Sequence, residues 1–70
     1  MEMISVNSSH IEAIGYDEDK AVLIIEFLSG AAYEYYDIPS YMFDELMSAD
    51  SKGTYANENL YKRLGQSRIR

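Results

Sequence analysis

Seventy residues with a net charge of −6 and no cysteine leave room for one domain, taken here as residues 1–70. The missing cysteines exclude disulfides and thiolate metal sites, and no apolar run approaches the roughly 18 residues of a membrane span. With 47% hydrophobic residues the chain has the composition of a globular protein, so its core must be built from aliphatic side chains, seven tyrosines, two phenylalanines and four methionines.

So small a chain buries only about 60% of the surface its unfolded form exposes, which predicts marginal stability. Met1-Glu2-Met3-Ile4 is not a basic stretch leading into a long apolar one. No signal peptide is expected, and the expected compartment is the cytoplasm. Residues 1–50 sum to −10 and residues 51–70 to +4. The acidic balance opposes non-specific binding to nucleic acid or anionic lipid, and the basic tail is the one feature that points the other way.

In chain order, residues 1–7 read as either a flexible arm or an edge strand. Asn7-Ser8-Ser9 is a turn or strand entry. Residues 10–16 form the first clear β pattern, but Ile11 and Ile14 fall on opposite faces of a regular pleat, so either the sheet is covered on both sides there or a bulge intervenes. A bulge would bring Ile11, Ile14 and Tyr16 towards one side, and Gly15 suits such a kink. Asp17-Glu18-Asp19-Lys20 closes a hairpin. Residues 21–28 form the central strand, rich in β-branched side chains and apolar on both faces.

Ser29-Gly30 supplies the next turn, since glycine accepts positive φ, and residues 31–37 form the third strand. Two registers compete. A two-residue loop sets Glu26 opposite Tyr33 and Ile24 opposite Tyr35. The preferred three-residue loop sets Phe27 opposite Tyr33 and Ile25 opposite Tyr35, gathers Leu23, Ile25, Phe27, Tyr33 and Tyr35 on one face, and makes Glu26 face Glu34.

Pro39 ends the sheet and opens a helix over residues 40–49. Met42, Phe43, Leu46, Met47 and Ala49 give it a buried stripe. Asp50-Ser51-Lys52-Gly53 breaks this helix. A second helix is expected from a cap at Asn57 to about Leu64, with Leu60 and Leu64 on one face. Residues 65–70 read as a frayed basic tail. The expected fold is thus α+β: a three-stranded antiparallel β-meander followed by two C-terminal helices packed on one face.

Catalytic chemistry finds little support. One histidine, His10, and no cysteine exclude Cys–His nucleophiles, and a lone His is read as a surface or packing residue. His10 with carboxylates alone makes a poor zinc site. Asp17-Glu18-Asp19 lacks the spacing of a calcium loop, and the four glycines stand apart, so no phosphate loop is present. The chain is read as no enzyme and as needing no cofactor or metal.

The tyrosines allow two readings. Rings on a sheet can stack nucleic-acid bases beside basic side chains. In so small a domain they can equally be core, with hydroxyls at the rim. Tyr33 and Tyr35 are assigned to the core, and Tyr36, on the other face, to an exposed position. The candidate nucleic-acid-binding set is Tyr36, Lys52, Tyr55, Tyr61, Lys62, Arg63 and Arg68.

An ordered set of residues resembles the KTSC domain family. It comprises Ser8-Ser9, Ile11, Ile14-Gly15-Tyr16-Asp17, Leu23-x-Ile25-x-Phe27-x-x-Gly30-x-x-Tyr33-x-Tyr35, Ile38-Pro39, Leu46, Ala49, Ser51-x-Gly53 and Asn57, across about residues 8–62. The resemblance implies a small bacterial or phage protein of a family also found at the C-terminus of some lysyl-tRNA synthetases. It implies RNA binding only through that fusion. Leu64-Gly65-Gln66 stands where the family leads one to expect another tyrosine and more basic residues. Two functions are carried forward. One is a weak RNA- or nucleic-acid-binding module. The alternative is a protein–protein interaction or regulatory domain that uses the acidic residues of segment 17–50. The expected partners are RNA or a protein and not a membrane, with the chain a monomer or weak dimer.

Overall fold

The computed structural model describes residues 2–63 and 65–70; the readings made for Met1 and Leu64 lie outside the described residues. The described residues form five strands and two helices, in the order β1 (Met3–Ser5), β2 (Ile11–Asp17), β3 (Val22–Phe27), β4 (Ala32–Tyr35), α1 (Ser40–Ser48), α2 (Lys52–Asn59) and β5 (Gln66–Arg68). The strands form one antiparallel sheet in the order β1-β2-β3-β4-β5. The α+β class and the paired helices stand as expected, but the sheet has five strands rather than three: β1 to β4 form the meander, and β5 joins it after the helices. Within the N-terminal stretch, Met3–Ser5 form the edge strand β1. The supposed frayed tail is β5, paired along β4 with Tyr33 facing Arg68 and Tyr35 facing Gln66. The ladder continues past both ends of β5, from the Tyr36 amide to the Gly65 carbonyl at 2.9 Å and from the Ala32 amide to the Arg70 carbonyl at 3.0 Å. An edge strand of three residues is held by β4's free backbone groups rather than by its own apolar pattern.

Of the two readings of β2 the bulge is the one found, but it lies at Glu12, between Ile11 and Ala13, and not at Gly15. It turns Ile11 and Ile14 onto one face, where both are fully buried. In the second hairpin the Phe27 amide donates to the Ala31 carbonyl at 2.8 Å and the Gly30 amide to the Phe27 carbonyl at 2.9 Å. Gly30 takes φ +99°, so residues 28–30 make a tight turn closed by a left-handed glycine. This loop pairs Leu23 with Tyr35 and Ile25 with Tyr33, two residues away from the preferred register. A shift of two keeps the faces, so the core stripe survives. It also separates the two acids: Glu34 faces Ile24 and Glu26 faces Ala32.

One sheet face carries the core. Ile11, Ile14, Leu23, Ile25 and Tyr35 pack with Ile38, Met42, Leu46, Ala56 and Leu60, and Phe43 and Met47 complete the α1 stripe. Tyr16 stacks on Phe43 at a ring separation of 5.1 Å, and its hydroxyl donates to the Ile38 carbonyl, which ties β2 to the start of α1. Burial, with the nearby acids Glu18, Asp44 and Asp17, raises that phenol above its ordinary range.

The second helix starts five residues before the expected cap. The Ser51 hydroxyl accepts from the Thr54 amide at 3.2 Å and donates to the Thr54 hydroxyl at 2.9 Å. Ser51 is therefore the N-cap, and Gly53 lies inside the first turn instead of ending a helix. At the far end the Gln66 amide group donates to the Tyr61 and Arg63 carbonyls, steering the chain from α2 into β5.

Candidate functional site

The seven residues proposed from sequence do not converge on one basic surface. Tyr36 is half-buried on the outer sheet face, where its hydroxyl donates to Glu34 at 3.0 Å, so the exposed position expected of it is not found. The Tyr55 hydroxyl donates to Glu45 at 2.6 Å. Burial and that hydrogen bond push its pKa up to about 12. Arg63 folds back on the start of α1, its guanidinium reaching the Met42 sulfur and donating to the carbonyl of Asp37, just ahead of the helix, at 3.3 Å. Arg68 donates to the Arg70 carbonyl, and Arg70 pairs with Glu26. Lys62 is exposed. Tyr35 is fully buried and Tyr33 partly so, as expected of core rings. Desolvation raises the Tyr35 phenol well above its ordinary range.

The two remaining candidates, Lys52 and Tyr61, border a pair of adjoining hollows that single residues in the sequence did not announce. The larger is a cleft of about 590 Å³ lined by Ser9, His10, Phe27, Ser51, Gly53, Thr54, Asn57 and Tyr61. The smaller, about 230 Å³, is lined by Asn7, Ser8, Ser9, Asp50, Ser51 and Lys52. Ser9 and Ser51 border both. Three elements build the cleft. The Ser8 hydroxyl accepts from the His10 and Ile11 amides at 3.3 Å each, which fixes the turn into β2 and the wall made by Ser9 and His10. The Leu28 amide donates to the His10 carbonyl at 2.9 Å, so this wall is joined to the end of β3. Helix α2 supplies the opposite wall: Gly53 and Asn57 lie four residues apart on one side of it, and Tyr61 follows just beyond the helix end.

The floor is aromatic. The Phe27 and Tyr61 rings lie 5.9 Å apart, and Phe27 meets Tyr33 edge-on at 6.1 Å. Tyr61 also approaches Tyr35 at 6.3 Å. Desolvation raises the Tyr61 phenol, and its hydroxyl can both donate and accept a hydrogen bond. Among the described residues no carboxylate, lysine or arginine lines the larger cleft; Lys52, whose ammonium donates to the Ala49 carbonyl at 3.3 Å, stands beside it. Hydroxyls, a carboxamide and an imidazole over aromatic rings suit a planar polar ligand. Among the described residues no group of three or more His, Asp or Glu side chains could hold a metal ion.

The signal that could have found this cleft was already in the chain. Ser9, Phe27, Ser51, Gly53 and Asn57 all belong to the ordered set quoted above, and they meet here although up to 48 residues separate them. Read singly, each looked like a turn, a cap or a core residue.

Comparison with known proteins gives a consistent answer. The model of the KTSC domain matches residues 7–63. A protein of Tsukamurella paurometabola is 46% identical over 55 residues, which covers 79% of this chain and 82% of that protein. A lysine–tRNA ligase of Nostoc punctiforme is 34% identical over 56 residues, 80% of this chain but only 10% of the ligase. The crystal structure of a KTSC domain protein from Yersinia pestis superposes with a TM-score of 0.94 at 32% identity, covering 99% of this chain and 97% of that one.

Proposed function

This chain belongs to the KTSC domain family, and we propose that it works as a non-catalytic module that binds single-stranded RNA weakly. The observation that carries this reading is the cleft between the β2 entry and α2, with aromatic rings at its base, neutral hydrogen-bonding groups on its walls and Lys52 at its edge. Such a surface suits unstacked bases, which offer a flat ring and a polar edge. The same domain forms a small part of proteins named as lysine–tRNA ligases, and an accessory hold on RNA would be useful there. With few cations engaged, affinity comes mainly from stacking and hydrogen bonds, so the salt dependence is shallow.

The test is binding of the whole chain to a labelled single-stranded RNA at low and high salt. The expected result is weak, saturable binding that loses only a few-fold in affinity across that range, with a further loss in Lys52→Ala. Absence of binding at low salt would overturn the reading. The alternative, a protein-interaction module, is favoured by the acidic residues of segment 17–50, of which Glu18, Asp19, Asp37, Asp44 and Glu45 are exposed. A stably co-purifying protein without RNA retention would establish it instead.

A further inference from the structure

We infer that the cleft holds one unstacked RNA nucleotide and that Gly53 is the residue that keeps it open, an assignment that rests on the RNA-binding reading. The argument starts from a residue that the fold does not require. Gly53 lies inside α2 and is not among the residues at positive φ. Alanine would be the better helix former there. A methyl group built on Gly53 would meet only the His10 ring, at 3.9 Å, an ordinary contact. Neither backbone conformation nor crowding therefore demands glycine. What the missing side chain does provide is space: it leaves the helix backbone bare between His10 on one wall and Asn57 and Thr54 on the other. Glycine is the residue used where a ligand must come close to the backbone.

The lining specifies the ligand's chemistry. Without a lysine or arginine among the described lining residues the cleft is poorly suited to a phosphate or a carboxylate. The Asn57 carboxamide offers a donor and an acceptor side by side, the pairing that reads the edge of a base. The hydroxyls of Ser9, Ser51 and Thr54 are suited to the ribose, whose 2′-hydroxyl can both donate and accept. The phosphate then lies outside, towards the smaller hollow and Lys52. A volume of about 590 Å³ is within the range of small-ligand sites and accommodates one nucleotide.

The experiment follows backbone amide NMR shifts on titrating a short single-stranded RNA, with the same sequence as DNA for comparison, into the wild type, Gly53→Ala and Asn57→Ala. A thermal melt accompanies each variant. The inference predicts shifts centred on His10, Gly53, Thr54 and Asn57, tighter binding of RNA than of DNA, and about tenfold weaker binding in each variant. Gly53→Ala should melt no lower than the wild type, which separates loss of the ligand's space from loss of the fold. RNA binding that shifts other amides, or that survives Gly53→Ala unchanged, would overturn the cleft assignment and leave RNA binding in place. If no RNA binds, both fall together.

Discussion

Helix α2 has two sides with opposite chemistry. Ala56, with Leu60 directly after the helix, turns into the core and is essentially inaccessible. Gly53, Thr54 and Asn57 turn to the cleft and carry no large apolar group. A helix of eight residues is too short to persist alone, so its buried side must hold it in place. The other side is then free of that duty, and its residues are better accounted for by what they present than by what they support. The contrast separates two kinds of substitution: those that unfold the domain and so abolish everything, and those that alter the cleft while the domain stands.

The largest effect is expected on the buried side. Leu60 is 1% exposed and packs among Ile11, Ile25, Leu46 and other core side chains. Leu60→Ala removes buried methyl groups and leaves a void, a cost of about 2–5 kcal/mol. In a domain this small that is a large share of the total stability. Urea denaturation should show a strongly lowered midpoint, and any ligand binding should disappear only in step with the folded population. A midpoint close to that of the wild type would mean that α2 is not held by the core in the way described.

A smaller effect is expected at Ser51, which belongs to both sides. Its hydroxyl caps the helix through the Thr54 amide and also lines the cleft. Ser51→Ala should lower stability by about 1 kcal/mol, the usual cost of a lost N-cap. Ser51→Asp retains a capping acceptor and should recover most of that stability. It also brings a negative charge to the cleft, so RNA binding should fall further even as the melt recovers. Parallel recovery of both would show that Ser51 matters to binding only through the helix.

The history of α2 in the sequence also explains what could be read there. The α1 stripe was legible because Met42, Phe43, Leu46 and Met47 recur at helical spacing. A bulge in β2 was legible only as one of two ways to bury Ile11 and Ile14, and its place at Glu12 was not, because Gly15 is the residue that looks like a kink. The start of α2 was not, because Ser51 and Asn57 are both good caps and Gly53 between them resembles a stop signal. Only the docking of Ala56 and Leu60 decides between them. Strand β5 was illegible for a different reason. Gln66-Ser67-Arg68 has no alternation, and the partner that makes it a strand, β4, lies more than thirty residues earlier. The hairpin register missed by two because the positive-φ glycine closes the loop on Phe27 and Ala31, a feature of turn geometry that the face pattern cannot sense. The cleft combines these obstacles: its walls come from residues 9–10 and 51–61, and no local period links them.

The smallest effect is expected far from both sides of α2, at the pair that ties the chain end to β3. The Arg70 guanidinium binds the Glu26 carboxylate and donates to the Gly30 carbonyl, but its side chain is 60% exposed. Solvent and salt screen such a pair, so Arg70→Ala should cost less than about 1 kcal/mol, and less again at high salt. Its use is diagnostic. If RNA were held by the basic tail as a diffuse positive surface, removing this cation would weaken binding and flatten the salt dependence, as the loss of any phosphate contact does. If RNA is held in the cleft, Arg70→Ala should leave the affinity unchanged while Gly53→Ala, which alters no charge, weakens it. The two variants together ask whether recognition follows charge or space, and an RNA affinity that falls with Arg70 but not with Gly53 would return the site to the tail.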